Sequence, residues 1–307
     1  AYTQRMALAF AVAWSYRSSA VQALADSVLC STTSEEFLAD LAYFYRQLEC
    51  VPQFRRLRVL VVRAADYSHE GKLVAALGRV LGRPEVWGLR TSEDEQAAEL
   101  AALLDQVERL PSAHRTSLAA AVVYGYGEAL RGFSRLGRVD AEQWYAVLET
   151  AAEWSLAGAD GPQHRLVREV KRLMGLAWLP EALEYLSLRM PGWWVRFLEQ
   201  GDARAVCAVH EVLDGEMRWH FSDDALYELC RAASERLIAW RQQPSAEGNI
   251  GLKWLGMGKR TADFMREALD RSRNIPTMSG RLRGLCHKLI DAGLGLPIAQ
   301  LLAELHM

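Results

Sequence analysis

The chain has 307 residues, 50% of them hydrophobic and 24% charged, with a formal net charge of −2. That composition excludes a disordered or collagenous chain and leaves room for one large domain or two smaller ones. The longest apolar run near the start, Met6 to Trp14, is far short of the roughly 20 residues that cross a bilayer, so no membrane partner is expected.

Five cysteines (Cys30, Cys50, Cys207, Cys230 and Cys286) are widely spaced, and no two form a CxxC pair. Neither a zinc site nor a disulfide framework is indicated, and a reducing cytoplasm is the expected setting. Charge is uneven along the chain. From Arg241 to Ile290 ten basic residues face four acidic ones, a net +6 that leaves −8 elsewhere. A basic end on an acidic body points to a polyanionic partner, with a solvated basic helix face as the alternative.

In chain order, Thr3 to Leu29 reads as helix. Thr32-Thr33-Ser34-Glu35-Glu36 offers overlapping capping boxes before Phe37, Leu38, Leu41, Tyr45 and Leu48, which recur at helical spacing. Leu57 to Arg63 carries a β-branched run that fits either a buried helix or the first strand of a lone βαβ unit; the pattern favours helix. No glycine-rich phosphate turn follows it, so a dinucleotide-binding fold lacks its fingerprint. Further helices are expected over Ala97–Leu110, from Pro111-Ser112 through Leu130, and over Trp144–Leu156. Gly125, Gly127 and Gly132 weaken the second of these and permit close helix approach. The loop-like run 158–162 is a candidate subdivision. Helices at Gln163–Gly175, Pro180–Leu188, Trp193–Gln200, Arg204–Met217 and Ser222–Trp240 follow, and 242–249 reads as a linker. The spacing of turn signals predicts an all-α chain: a multi-helix bundle or irregular α-solenoid over 1–241, then a small basic helical module over 249–307.

Catalytic constellations are scarce. His210, Glu211, Asp214, Glu216 and His220 share one expected helix, with i,i+4 pairs, but neither HExxH nor paired Glu-x-x-His motifs occur, and surface ion pairs are the simpler account. No Gly-x-Ser-x-Gly elbow is present. Trp193 and Trp194 are adjacent, so they cannot share one helix face, and one is a candidate partner surface; burial against different neighbours is the alternative. No cofactor or metal is expected.

The most informative stretch is Ile250 to Phe264. Gly251 and Gly256 are spaced like the first glycines of a nucleotide P-loop, but the Lys-Ser/Thr pair is missing. Trp254-Leu255-Gly256-Met257-Gly258-Lys259-Arg260-Thr261-Ala262 instead resembles the helix-hairpin-helix motif of DNA-binding proteins, Leu-Pro-Gly-hydrophobic-Gly-x-x-Thr-Ala. The resemblance implies a backbone phosphate held by Gly256, Gly258 and the amides opening the next helix. Lys253, Lys259, Arg260, Arg281 and Arg283 would then steer the polyanion. Residues 250–290 are also similar to the hairpin-containing base-excision DNA glycosylases. Ser279 stands where that family carries its catalytic Asp, Arg260 where bifunctional members carry a nucleophilic Lys, and Leu255 replaces the hairpin proline. Neither serine nor arginine does that chemistry at neutral pH. The expected function is therefore non-enzymatic: DNA through the C-terminal module, and a protein partner through the helical body. The alternatives are a helical adaptor or secretion-associated scaffold without nucleic acid, or a metal-dependent helical enzyme.

Overall fold

The computed structural model describes residues 2–15, 18–45, 51–89, 95–133, 141–158, 160–175, 180–213, 221–243, 245–254, 256–272 and 275–294. Helix is the only extended regular structure among them. The chain divides into two compact units, Ala1–Leu176 and Ala177–Met307. The contact boundary thus lies between the loop at 158–162 and the linker at 242–249, the two places where composition changes.

The first unit holds α1 (Tyr2–Ala13), α2 (Ser19–Ser31), α3 (Glu35–Phe44), α4 (Val51–Ala64), α5 (Lys72–Leu81), α6 (Pro84–Gly88), α7 (Glu95–Glu108), α8 (Ser112–Phe133), α9 (Ala141–Leu156) and α10 (Gln163–Met174). The Ser34 hydroxyl caps α3 by accepting from the Phe37 amide at 3.3 Å, and Glu35 reaches across to cap α5 at the Leu73 amide (3.1 Å). Leu57 to Arg63 is helical. Leu57, Leu60, Val61 and Ala64 are fully buried while Val62 is exposed, a 3.6-residue period that strand alternation cannot produce.

Polar ties complete the corner between α1, α2 and α4. Arg56, only 5% exposed, donates to Asp26 (2.9 Å), Ser15 Oγ (2.8 Å) and the Val12 carbonyl (3.1 Å). The Val12 carbonyl, at the end of α1, also accepts from Ser15 Oγ at 2.6 Å. At the other end of the unit, α10 buries Leu166, Val167, Val170, Leu173 and Met174 and turns Arg165, Arg168, Lys171 and Arg172 outward.

The long helix α8 is the axis of this unit and packs against α5, α9 and α10. Its closest neighbour is α5, and glycines make that approach possible. A Cβ at Gly78 would lie 2.2 Å from the Ala121 Cβ and 2.5 Å from its carbonyl carbon, and one at Gly125 would lie 2.7 Å from the Gly78 oxygen.

The second unit holds α11 (Pro180–Gln200), α12 (Ala203–Leu213), α13 (Asp223–Gln242), α14 (Ala246–Asn249), a π-helical turn (Ile250–Trp254), α15 (Met257–Arg271) and α16 (Pro276–Asp291). Two helices were expected on either side of Met190-Pro191-Gly192; they are one, α11, with Pro191 inside it. Here α13 is the axis, touching α11, α14, α15 and α16. Helix α13, assigned by the sequence to the body, is thus packed with the basic segment. Ser222 caps it at the Ala225 amide (3.2 Å).

A glycine replaced by alanine in an exposed helix normally gains about 1 kcal/mol. At Gly78 the sign should reverse, because the new methyl meets backbone as well as side chain. Gly78→Ala is expected to lower stability by about 1–3 kcal/mol in urea unfolding; an unchanged or raised midpoint would refute the close approach.

Candidate nucleic-acid interface

The stretch preceding the Gly-Met-Gly turn is packed rather than loose. Ser245 caps α14 at the Gly248 amide (2.9 Å), and the Trp240 indole of α13 covers the backbone of Gly248 and Gly251. A Cβ at Gly251 would sit 2.5 Å from the ring. Gly251, spaced like a P-loop glycine, is therefore there to admit an indole. The expected linker is in part a helical turn docked on α13.

The chain then passes through the π-helical turn, which carries Lys253 on an exposed face. Gly256 adopts φ 59° and ψ 34°, the left-handed region that favours glycine, with no atom within 4 Å of a Cβ built there. It opens α15 and, being glycine, brings no side chain to cap the first-turn amides, which lie at the positive end of the helix dipole. Gly258 likewise faces open space, and Lys259 is exposed.

The remaining motif positions point inward. Met257, Thr261, Ala262, Phe264 and Met265 are all buried and dock α15 on α12 and α13. Thr261 meets His210 of α12, with Oγ1 and Nε2 3.5 Å apart, and the Phe264 ring stands edge-on to the imidazole at 6.1 Å. The motif therefore divides between an open glycine turn and a core-facing Thr-Ala pair.

The expected cations are not equally available. Arg260 is drawn toward Glu211 of α12 (3.7 Å). Arg281 pairs with Asp224 (3.2 Å) and lies 3.9 Å from Glu228, its guanidinium 3.7 Å from the centre of the Tyr227 ring. Arg271 pairs with Asp223 (3.4 Å) and also donates to the Phe221 carbonyl. Lys253, Lys259 and Arg283 are exposed and have no ion-pair partner among the described residues. The sequence count of +6 missed these counter-charges because they lie upstream, on α12 and α13; the −8 carried outside the segment was their only trace.

Trp193 and Trp194 are both fully buried, which corrects the expectation of a partner surface there. Trp193 stacks on Phe197 with centroids 4.2 Å apart and meets Trp194 edge-on at 4.6 Å. Helix α11 packs against both α12 and α13, so two adjacent faces are covered.

His210 is buried rather than part of a surface ion-pair cluster; Asp214, Glu216 and His220 fall outside the described residues. No group of three or more His, Cys, Asp or Glu able to hold a metal occurs among the described residues, and none of their helices is long and apolar enough to cross a membrane. Comparison with family models, with curated proteins and with solved structures finds no match.

Two predictions follow from this geometry. Gly256→Ala is expected to cost about 1 kcal/mol, because alanine pays for the left-handed backbone. Gly258→Ala, with open space and helical dihedrals, should be neutral or gain up to about 1 kcal/mol; thermal melting of both variants reads the difference in sign. His210 gives a pH signature. Burial, reinforced by the Arg260 charge, pushes its imidazole down to about 4. Because the folded state resists protonation, the unfolded chain binds the extra proton first. The contribution is fully present above about pH 6.5 and is lost as pH falls toward about 4, on the order of 3 kcal/mol in all. Urea titrations across that window should show the slope, and His210→Leu should flatten it.

Proposed function

We propose that this chain is a non-enzymatic, nucleic-acid-associated helical protein whose second unit holds a DNA backbone phosphate at the Gly256–Lys259 turn. One observation carries the reading: a left-handed, unobstructed glycine leads into a helix start without a side-chain cap, flanked by two exposed lysines that have no ion-pair partner among the described residues. Orphan amides and helix dipole supply directed donors for a phosphate, and Lys253 and Lys259 add salt-dependent attraction. The helix-hairpin-helix resemblance agrees with the open glycines and with the inward Thr261-Ala262 pair. Base excision is not proposed, since Ser279 lacks a carboxylate. The proposal places the chain in the cytoplasm, where its cysteines stay reduced.

A protein partner on the first unit is the second reading. It is favoured by large apolar side chains left exposed on α1 to α3, among them Leu8, Phe10, Leu24 and Tyr43 at 43–67%. Such exposure on neighbouring helices marks interaction surfaces more often than scattered single residues do.

The DNA reading is tested by duplex and single-stranded binding over a salt series. Two lysine–phosphate contacts predict that Lys253→Ala with Lys259→Ala reduces the slope of log K against log salt by about 2 on duplex. Gly258→Ala should weaken binding without loss of stability, since its new methyl stands where the phosphate approaches. Glu211→Gln should tighten binding by releasing Arg260. Binding that is absent, or indifferent to salt and to all of these changes, removes the proposal.

A further inference from the structure

Two clefts open on the surface of the first unit, on either side of a ridge made by Arg79 of α5 and Tyr124 of α8. The larger, about 760 Å³, runs between α1, α3, α5 and α8; the smaller, about 450 Å³, runs between α5, α8 and α10. Ala75, Arg79 and Tyr124 line both, so the clefts form one surface rather than two. The larger has small and apolar walls, including Met6, Ala76 and Ala129, with Tyr2 and Tyr43 exposed at its rim.

Its charges are unbalanced in a specific way. Every carboxylate facing the two clefts already has a cation: Asp40 has Arg5 (2.6 Å), Glu128 has Arg131 (2.8 Å) and Arg172 (3.3 Å), Glu70 has Arg165 (2.8 Å), and Glu169 has Arg172 (3.7 Å). Among the cations, Lys72 and Arg83 are held by Glu36 and Glu85, both at 2.9 Å. Arg79 and Arg168 have no ion-pair partner among the described residues. Arg79, on the wall of both clefts, and Arg168, in the smaller one, are thus left uncompensated among the described residues, while no carboxylate lining them is. The smaller cleft is lined by small side chains of α8 as well, Ser117, Ala120 and Ala121.

We infer that this double cleft docks an acidic amphipathic peptide of a partner protein. Its apolar side chains enter the Met6–Ala76–Ala129 cleft, and its carboxylates bind Arg79 and Arg168. Arginine suits the second task because its planar fork matches a carboxylate in two parallel hydrogen bonds. Apolar anchors in one half with charge matching in the other combine affinity with orientation, as helix-in-groove recognition requires. The inference rests on the protein-partner reading of this unit and is independent of the DNA reading.

The probe is a phage-displayed library of random 16-residue peptides, selected on the whole 307-residue chain. Enriched peptides are then made synthetically and titrated by fluorescence anisotropy. The expected result is enrichment of sequences with Asp or Glu beside apolar residues spaced three or four apart. Their affinity should fall at least ten-fold on Arg79→Glu and on Ala76→Trp, which fills the cleft, while circular dichroism and melting show both variants folded. Replacing the peptide's key acid by lysine should recover binding to Arg79→Glu. Peptides that bind wild type and both variants equally would uphold a partner surface and sink this cleft as its location. No enrichment at all would sink both. Concentration-dependent self-association abolished by Arg79→Glu would make the occupant a second copy and overturn the inference.

Discussion

The first unit depends on the backbone-to-backbone approach of α5 and α8. With Gly78, Ala121 and Gly125 at the crossing, no layer of large side chains separates the two helices. The long side chains of both, Arg79 and Tyr124 among them, are then thrown outward to the flanks. Helix α3 packs on α5 and helix α10 on α8, and the flanking clefts are what remains between a narrow ridge and its neighbours. The surface feature and the core contact are thus one geometric fact.

In the second unit, burial and electrostatics converge on α13. It receives α15 and α16 on apolar faces, through Phe264, Met265, Leu282 and Leu285 among others. Its first two turns supply Asp223, Asp224 and Glu228 to arginines of those same helices. These pairs are partly exposed and individually worth little. Their effect is to decide which cations of the basic segment face solvent unopposed.

Much of the fold was legible because caps and periodicity are local. Ser34 and Ser222 announced their helices, and the buried set Leu57, Leu60, Val61 and Ala64 follows from spacing alone once a helix is assumed. Legibility ended where tertiary contact overrides local preference. Pro191-Gly192 reads as a break, yet burial of Met190, Trp193 and Trp194 on both sides holds one helix through it. The two tryptophans look like surface candidates because adjacency forbids a shared face, and nothing local says that α11 has neighbours on two sides. At the turn, Gly256 and Gly258, singled out by their spacing, both face open space. The sequence could not separate the exposed Lys259 from the engaged Arg260 next to it, since Glu211 lies almost fifty residues away. Gly251 shows the same limit, for its reason is the Trp240 ring.

The pairing of Arg281 with Asp224 and Glu228, under the Tyr227 ring, has a consequence for ligand choice. Helix α13 presents Asp224 and Glu228 to Arg281 of α16 and Asp223 to Arg271 of α15, and so competes for those two cations from within the same chain. On the proposed DNA reading, a phosphate recruits Arg281 only by displacing these carboxylates, at the small cost of partly exposed pairs. Lys253, Lys259 and Arg283, with no ion-pair partner among the described residues, meet no such competition.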